Sequence, residues 1–427
     1  MNKLEINESL FLTMYEEFKI QRAGKLRYKK YYDGEHDILT NYTMSEDQSN
    51  MKLVFNFPKK FVTSLTGYSL GQPINYISKI GDEEVVKLID KHFGYWEKAH
   101  NQKLSKNADI FGEAYEINYI NKQGEFHSMV TTPLDMYVLT DGTPENNVIV
   151  GIHNFTKRFE KVEYLDVYVG NEILHYSIIE GKLIYISKDE HIFDTVPINI
   201  CQANDESECV YKDIITLVNV YNIINSDLSN EISDHRNSML KIMKANIEEE
   251  DLKRMKKLGV ILVPDGANVD WLIKNINDDF VQNMINNIEQ KIYDLMDMVN
   301  FNEQWASNTS NVALKNKLLA LSHRCTLKEA MMEKTLLRRV RNFFKFIKVK
   351  ENIQYDYRDL KVKFTRDLPF DLVGLADAIS KLENIVSQHT LLTLLPFVEN
   401  ADYEMEKFNK EKELNRIALD DKGDGNA

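Results

Sequence analysis

Asn300-Phe301-Asn302-Glu303-Gln304-Trp305-Ala306-Ser307-Asn308-Thr309 is the stretch on which the reading of the fold turns. Before it, Phe280, Met284, Ile288, Ile292, Leu295 and Val299 recur every three or four residues, the spacing of one apolar helix face. After it, a third helix is expected to start near Ser310, with Thr309 or Ser310 as N-cap, and to run to about Phe346. At 1.5 Å per residue that is on the order of 55 Å, well beyond an average globular helix. Val312, Leu318, Leu319, Leu327, Met331, Leu337, Val340 and Phe344 supply its apolar positions. A ten-residue polar segment with one Trp, set between two helices, is a connector by composition alone.

Upstream, a helix beginning at Tyr211 repeats the pattern with Ile214, Leu217, Val218, Tyr221, Ile224, Leu228 and Ile232, while Asn222, Ser226, Asp227 and Asn230 fall mainly elsewhere. Between the two amphipathic helices, Met239–Met243, Val260–Val263 and Val269–Ile273 read as short strands and Asp265-Gly266 as a turn. The two ends of this insert must meet the two helix ends. The helices are therefore expected to lie antiparallel, with the insert at their tip.

Toward the N-terminus, Leu10, Met14, Phe18, Leu26 and Tyr31 have helical spacing, closed by Asp33-Gly34. Leu53 to Pro58 reads as extended, Lys59 to Leu70 as a helix stopped by Gly71-Gln72-Pro73, and Ile74 to Ile77 as a strand. Glu83 to Asp109 is helical in pattern. From Phe111 the period switches to two: Ala114–Ile120 and Phe126–Thr131 form a hairpin around Asn121-Lys122-Gln123-Gly124, and Met136–Leu139, Val148–Phe155, Tyr164–Val169, Ile173–Ile179 and Lys182–Ile186 follow. Pro197 to Glu208 reads as a polar linker. Beyond the long helix, Lys361–Phe364 alternates as a strand, Asp371 to Lys412 is helical with a break at Pro396, and the polar tail from Asp420 is expected to lack order. The fold class expected is α+β.

Composition narrows the function. Of 427 residues, 43% are hydrophobic and 28% charged, with only 8 Pro and 17 Gly, so most of the chain is expected to fold. A formal charge of −13 argues against a protein that grips phosphates through a general excess of cations. The run Lys334, Arg338, Arg339, Arg341, Lys345, Lys348 and Lys350 reads first as a solvated helix face. Cys201, Cys209 and Cys325 are scattered and form no CxxC pair, which implies neither a disulfide framework nor a zinc site and fits a reducing cytoplasm. No stretch approaches the roughly 18 apolar residues of a membrane span, and Met1 to Phe11 lacks signal-peptide character.

Reactive signatures are missing: no GxxxxGK loop, GxGxxG, HExxH or GxSxG occurs, so no catalytic residue, cofactor or metal site is assigned. Asp33, Glu35, His36 and Asp37 carry metal-ligand chemistry but are sequential, whereas a metal cage draws on several segments. A solvated turn explains them. Glu248-Glu249-Glu250-Asp251 is similarly the acidic start of a helix.

Four stretches together resemble the portal proteins of tailed double-stranded DNA bacteriophages: Tyr28 to Gly34; Asn56 to Val62 with Gly67-Tyr68 and Gly71-Gln72-Pro73; Asn311-Val312-Ala313-Leu314-Lys315; and Phe364 to Asp371. Each is short; their order and spacing carry the resemblance, which covers nearly the whole chain. One departure is Asn311, where several relatives have Gly before the Val-Ala-Leu motif.

The resemblance implies a portal fold: an α/β wing (1–210), stem helices (211–236 and 278–299), a small α/β clip (237–277), a tunnel loop (300–309), a long wing-crossing helix with a wing strand (310–370), and a helical crown with a disordered tail (371–427). It implies a homo-oligomer of twelve subunits at one capsid vertex of the virion, assembled in the host bacterial cytoplasm. Double-stranded DNA passes through its channel in packaging and ejection. The partners implied are the terminase large subunit, a head-completion or adaptor protein, and the major capsid and scaffolding proteins, with no membrane. In the tunnel loop, Asn302, Glu303, Gln304, Trp305, Ser307, Asn308 and Thr309 are the residues set against DNA; Asn283, Asn287, Gln290 and Asp294 of the second stem helix are the channel candidates, beside Asn222, Asp227 and Asn230 of the first. The rival readings are a metal-dependent nuclease and a virion scaffolding or adaptor protein that forms no ring.

Overall fold

The computed structural model describes residues 6–46, 48–235, 240–243, 250, 253–254, 268–271, 278–300, 316, 318–366, 372–395, 398, 401 and 403–412. The chain divides into two units, one of Met1–Thr309 with Ala313–Asp367 and one of Ser310–Val312 with Leu368–Ala427.

The first unit begins with α1 (Glu8–Asp33), started by the Asn7 side chain, which accepts from the Leu10 amide at 3.0 Å. Gly34 ends it in the left-handed region at φ 90, donating to Lys30 and Tyr31 carbonyls, as the Asp33-Gly34 turn leads one to expect. After α2 (Ile38–Asn41), α3 (Phe57–Leu70) opens with Asn56 as cap and Pro58 in its first turn, where a missing amide hydrogen costs nothing. Then β1 (Asn75–Ser78) leads to α4 (Glu83–Phe93) and α5 (Glu97–Phe111). The single helical pattern read over Glu83 to Asp109 is thus two helices. The chain turns at Gly94-Tyr95-Trp96, and the Trp96 indole donates back to the His92 carbonyl at 2.9 Å. At the end of α5, Gly112 has φ 89, and a Cβ there would lie 2.0 Å from the Ser207 carbonyl oxygen, so glycine is required.

The strands follow as β2 (Glu113–Ile120), β3 (Phe126–Thr131), β4 (Met136–Thr140), β5 (Val148–Thr156), β6 (Glu163–Val169), β7 (Glu172–Ile179), β8 (Lys182–Glu190) and β9 (Ile198–Gln202). They form an antiparallel three-stranded sheet, β3-β2-β9, and an antiparallel five-stranded sheet, β4-β5-β6-β7-β8. The linker expected from Pro197 is corrected here: Ile198, Asn199, Ile200 and Cys201 are buried in β9, paired with β2. A strand covered on both faces shows no alternation, and the acidic segment after it hid the strand.

Next come α6 (Ile215–His235), β10 (Leu240–Met243), β11 (Asn268–Trp271) and α7 (Asp278–Leu295). β10 and β11 pair antiparallel, with Leu240 opposite Trp271; the expected strand Val260–Val263 lies outside the described residues. The long helix, α8 (Leu319–Glu351), has 33 described residues and ends five residues beyond Phe346, where Asn352 takes the left-handed conformation at φ 57. β12 (Leu360–Lys363) then pairs with β1, Asn75 opposite Lys363.

Several apolar clusters among the described residues hold this unit. α4, β1, β3, α8 and β12 enclose Phe93, Phe126, Phe343 and Phe346; each such ring contributes about 2 kcal/mol by leaving water. Phe11, Met14, Tyr15 and Phe18 of α1 cover one face of the five-stranded sheet over Val150, Ile152, Leu165 and Val167. Tyr115, Ile117, Ile198 and Ile200 of the smaller sheet meet Met136 and Tyr168 of the larger one.

In the second unit, α9 (Leu372–Leu382) is followed by α10 (Gln388–Leu392), which Ser387 caps by accepting from the Thr390 amide, and residues 403–412 are helical. The helical run read from Asp371 therefore breaks at 383–387; Pro396 lies outside the described residues. Among the described residues, no helix is long and apolar enough to cross a membrane, and Cys201, Cys209 and Cys325 are free and buried.

Candidate functional site

The helix pair α6 and α7 is antiparallel, because Tyr221 near the start of α6 donates to Glu289 near the end of α7 at 3.3 Å. Burial together with the Glu289 charge pushes the Tyr221 hydroxyl up to about 12, so it stays a donor at neutral pH. Phe55, Phe57 and Phe61 stack edge-on against Tyr221 and Tyr293, with ring centroids 5.0 to 5.2 Å apart for Phe55–Tyr221, Phe57–Tyr221 and Phe61–Tyr293. This aromatic knot ties the pair to the start of α3.

Along α6, polar side chains are used in an unexpected way. Asn222, Ser226 and Asn230 are wholly buried, and with Asp234 they form a ladder at four-residue spacing. Each rung accepts a backbone amide from one extended segment: Phe55 to Asn222 at 2.9 Å, Leu53 to Ser226 at 2.9 Å, Met51 to Asn230 at 2.7 Å and Ser49 to Asp234 at 3.0 Å. One helical turn and a fraction advances about 6 Å in four residues, close to the advance of two residues in an extended chain. That match lets a strand-like strap run antiparallel to a helix with alternate amides satisfied. Asn230 also donates to the Met51 carbonyl at 3.1 Å, and Asp227 accepts from Tyr42 at 2.6 Å. Asn222, Asp227 and Asn230, read from sequence as channel side chains, are instead engaged by the chain's own strap and by Tyr42.

On α7 the four sequence candidates behave differently. At about 100° per residue, Asn283, Asn287, Gln290 and Asp294 fall within roughly 60° of one another, opposite the buried Ile285 and Ile292. All four are exposed. Gln290 and Asp294 also border a cleft of about 480 Å³ with Asn286, Glu289, Tyr293, Met298, Val299 and Asn300, at the end where α7 leads into the polar loop. Asn302, Glu303, Gln304, Trp305, Ser307, Asn308 and Thr309 themselves lie outside the described residues.

The loop's two flanks are joined by Arg324. Its guanidinium donates to the Leu295 carbonyl at 3.3 Å, to Asp297 at 3.4 Å and to the Val210 carbonyl at 3.1 Å, so α8 grips the end of α7 and the approach to α6 at once. Further along, α8 buries a polar stripe. Lys328 pairs with Asp109, Thr335 donates to the Ile200 carbonyl at 2.9 Å, and Asn342 donates to Asn118 at 2.7 Å. Between them Arg339, fully buried, binds both oxygens of Glu116 through Nε at 3.0 and 2.9 Å and reaches Glu97 at 2.8 Å. Burial alone raises a carboxyl's pKa, but for Glu116 the Arg339 charge and the hydrogen bonds from His100 and Arg339 outweigh it and hold the group well below its ordinary value. Glu97, with fewer donors, is shifted up by burial. Arg339 therefore belongs to the core, not to the solvated face expected from its basic run; residue type alone carried no sign of the carboxylates more than 200 positions away.

The acidic cluster after α1 disperses. His36 is buried, stacked on Tyr31 at 4.8 Å, and its Nε2 donates to the Tyr31 carbonyl while Nδ1 accepts from Asn222 at 2.9 Å. Asp33 binds Lys29 and Asp37 binds Arg27. Among the described residues no group of three or more His, Cys, Asp or Glu side chains is placed to hold a metal ion; of 248–251, only Glu250 is described.

Residues 17–416 match the family model described as "Phage portal protein, SPP1 Gp6-like". No curated protein sequence matches the chain. Among solved structures, a chain of the "Virion of native gene transfer agent (GTA) particle" aligns with a TM-score of 0.43 at 11% identity, over 79% of this chain and 88% of that one.

Proposed function

The chain belongs to the SPP1 Gp6-like phage portal protein family, and from that premise we propose that it forms a ring of twelve copies at one vertex of the capsid. The ring is the conduit for double-stranded DNA in packaging and ejection, and the seat for the terminase large subunit and then a head-completion or adaptor protein. Portal proteins are structural parts of the virion, and this one performs no catalysis of its own. In this reading α6 and α7 are the stem, residues 237–277 the clip, 300–309 the tunnel loop and 371–427 the crown, with major capsid and scaffolding proteins around the wing.

The exposed polar stripe of Asn283, Asn287, Gln290 and Asp294 is the observation that carries the channel. The strip lies opposite the buried Ile285 and Ile292, and its one charged member, Asp294, is paired with Lys291 at 3.2 Å. Twelve copies carry 12 × −13 = −156 formal charges. A lumen without clustered cations lets a duplex slide, because no phosphate contact releases counterions and holds it. In this reading Asn302 to Thr309 are the tunnel-loop residues that meet the DNA.

Substituting Asn287→Lys with Gln290→Lys tests this. Both side chains are exposed, so subunit stability is expected to change by no more than about 0.5 kcal/mol, while DNA packaging slows in proheads carrying the variant. Packaging at the unaltered rate would remove the stripe from the channel.

A further inference from the structure

Arg339 is the buried member of the basic run of α8, and five of the others line up. At about 100° per residue, Lys334, Arg338, Arg341, Lys345 and Lys348 fall within roughly 80° of one another, opposite the buried side that carries Arg339, Phe343 and Leu336. The strip is about 21 Å long, and α8 has no acidic residue between Lys334 and Lys350.

An ordinary solvated helix face has a different make-up. Its cations stand three or four residues from carboxylates, as they do elsewhere in this chain: Lys19 pairs with Glu16, Lys291 with Asp294 and Lys410 with Glu406. On α8 each of the five instead has another of the five at that spacing, where like charges repel. Their surroundings neutralise little of this. Among the described residues only Lys345 has a carboxylate partner, Asp194. Arg338 donates to the Glu145 carbonyl, Lys334 touches the Met331 sulfur at 3.8 Å, and Arg341 and Lys348 make no hydrogen bond or ion pair among the described residues. The Asp141 carboxylate, which faces Arg338, is taken up in its own turn by Thr143 and Asn147. Partial burial and the Arg341 charge lower the Arg338 guanidinium from its ordinary value, as befits a cation short of anions.

We propose that this outer strip of α8 binds the phosphate backbone of duplex DNA, at a place apart from the channel. The ligand class follows from what the strip has and what it lacks. A protein partner calls for an apolar or aromatic centre with few charges, and within the same 80° α8 has no apolar side chain from Lys334 to Lys348. A row of cations is what a phosphate chain takes. Lys334 lies about 15 Å along α8 from Arg324, which holds the end of α7, so a grip here leaves a duplex in the channel free to slide. The choice of DNA among polyanions rests on the function proposed above.

The test measures binding of the full chain to a short random-sequence duplex by fluorescence anisotropy over a range of salt, with native mass of the same samples. Roughly four or five phosphate contacts per chain give a slope of log K on log salt of about −4. Arg341→Gln with Lys348→Gln is expected to make the slope shallower by about two and to weaken binding at low salt about tenfold or more, and Lys334→Gln alone to make it shallower by about one. Circular dichroism melting verifies that both fold as the wild type does. Lys161→Gln with Lys182→Gln, which removes two exposed cations elsewhere, is expected to leave the slope unchanged. An equal loss in this control and in the strip variants, or a wild-type slope in all of them, overturns the strip. Displacement of the labelled duplex by polyglutamate as readily as by unlabelled duplex overturns it in favour of an acidic protein partner. A chain that stays monomeric and binds with the expected slope supports the strip while removing the ring; rings that bind no duplex at low salt overturn the strip and leave the ring standing.

Discussion

Arg339 shows how much of this molecule rests on buried charge. Replacing it with Met leaves Glu116 ionised in the core without its cation, and removing one partner of such a pair costs roughly 3–5 kcal/mol, measurable as a lowered midpoint in chemical denaturation. Loss of less than about 1 kcal/mol would mean that water replaces the guanidinium. The same network sets the acid limit. Glu116 has its folded-state pKa held below the unfolded value of 4.5, so its contribution is fully present above that pH and is lost as pH falls below it. A Glu116→Gln variant is accordingly expected to start from lower stability at neutral pH and to show a shallower decline on acidification; an unchanged acid limb would assign the pH dependence to other carboxylates. Sequence could not reveal this. Arg339 lies in a run of seven cations whose other members resemble a solvated face, and Asn222, Ser226 and Asn230 are residues that normally seek water. Their partners come from distant segments, beyond the reach of local pattern.

At the scale of elements, legibility was better. Apolar spacing closed by the Asp33-Gly34 turn marked α1, spacing stopped by Gly71-Gln72-Pro73 marked α3, though the helix begins at Phe57 inside the segment read as extended, and period-two alternation marked β2 to β8. What was hidden were elements defined by what covers them: β9, buried on both faces, and the strap along α6. The strap makes an element-scale prediction. Ser226→Ala frees the Leu53 amide and Asn230→Ala frees that of Met51, each at a cost of about 1–3 kcal/mol, and hydrogen exchange should accelerate at the freed amide and its neighbours on the strap. Exchange unchanged at 49–55 in both variants would mean that the strap is held by other contacts. The strap covers one face of α6, so the polar side chains of that face are taken up within the chain, whereas those of α7 at 283, 287, 290 and 294 are exposed.

For the molecule as a whole, the long helix is the common member. Through Arg324 it holds the roots of both α6 and α7, and through Lys328, Thr335, Arg339 and Asn342 it is locked in register on α5 and the three-stranded sheet. Buried polar contacts of this kind fix one arrangement where apolar contacts alone tolerate sliding. The helices on either side of residues 301–315 thus share one anchor. The amphipathic helices α6 and α7 were visible in sequence; the common anchor was not, because Arg324 acts on two backbone carbonyls, which carry no side-chain signature, beside Asp297.

The central claim is that copies of this chain close into a ring with an axial channel. Electron microscopy of the purified protein tests it most directly. The account predicts ring-shaped particles with a central hole, in which the Asn283 to Asp294 stripe faces the lumen; strictly monomeric particles without a hole under all assembly conditions would contradict it.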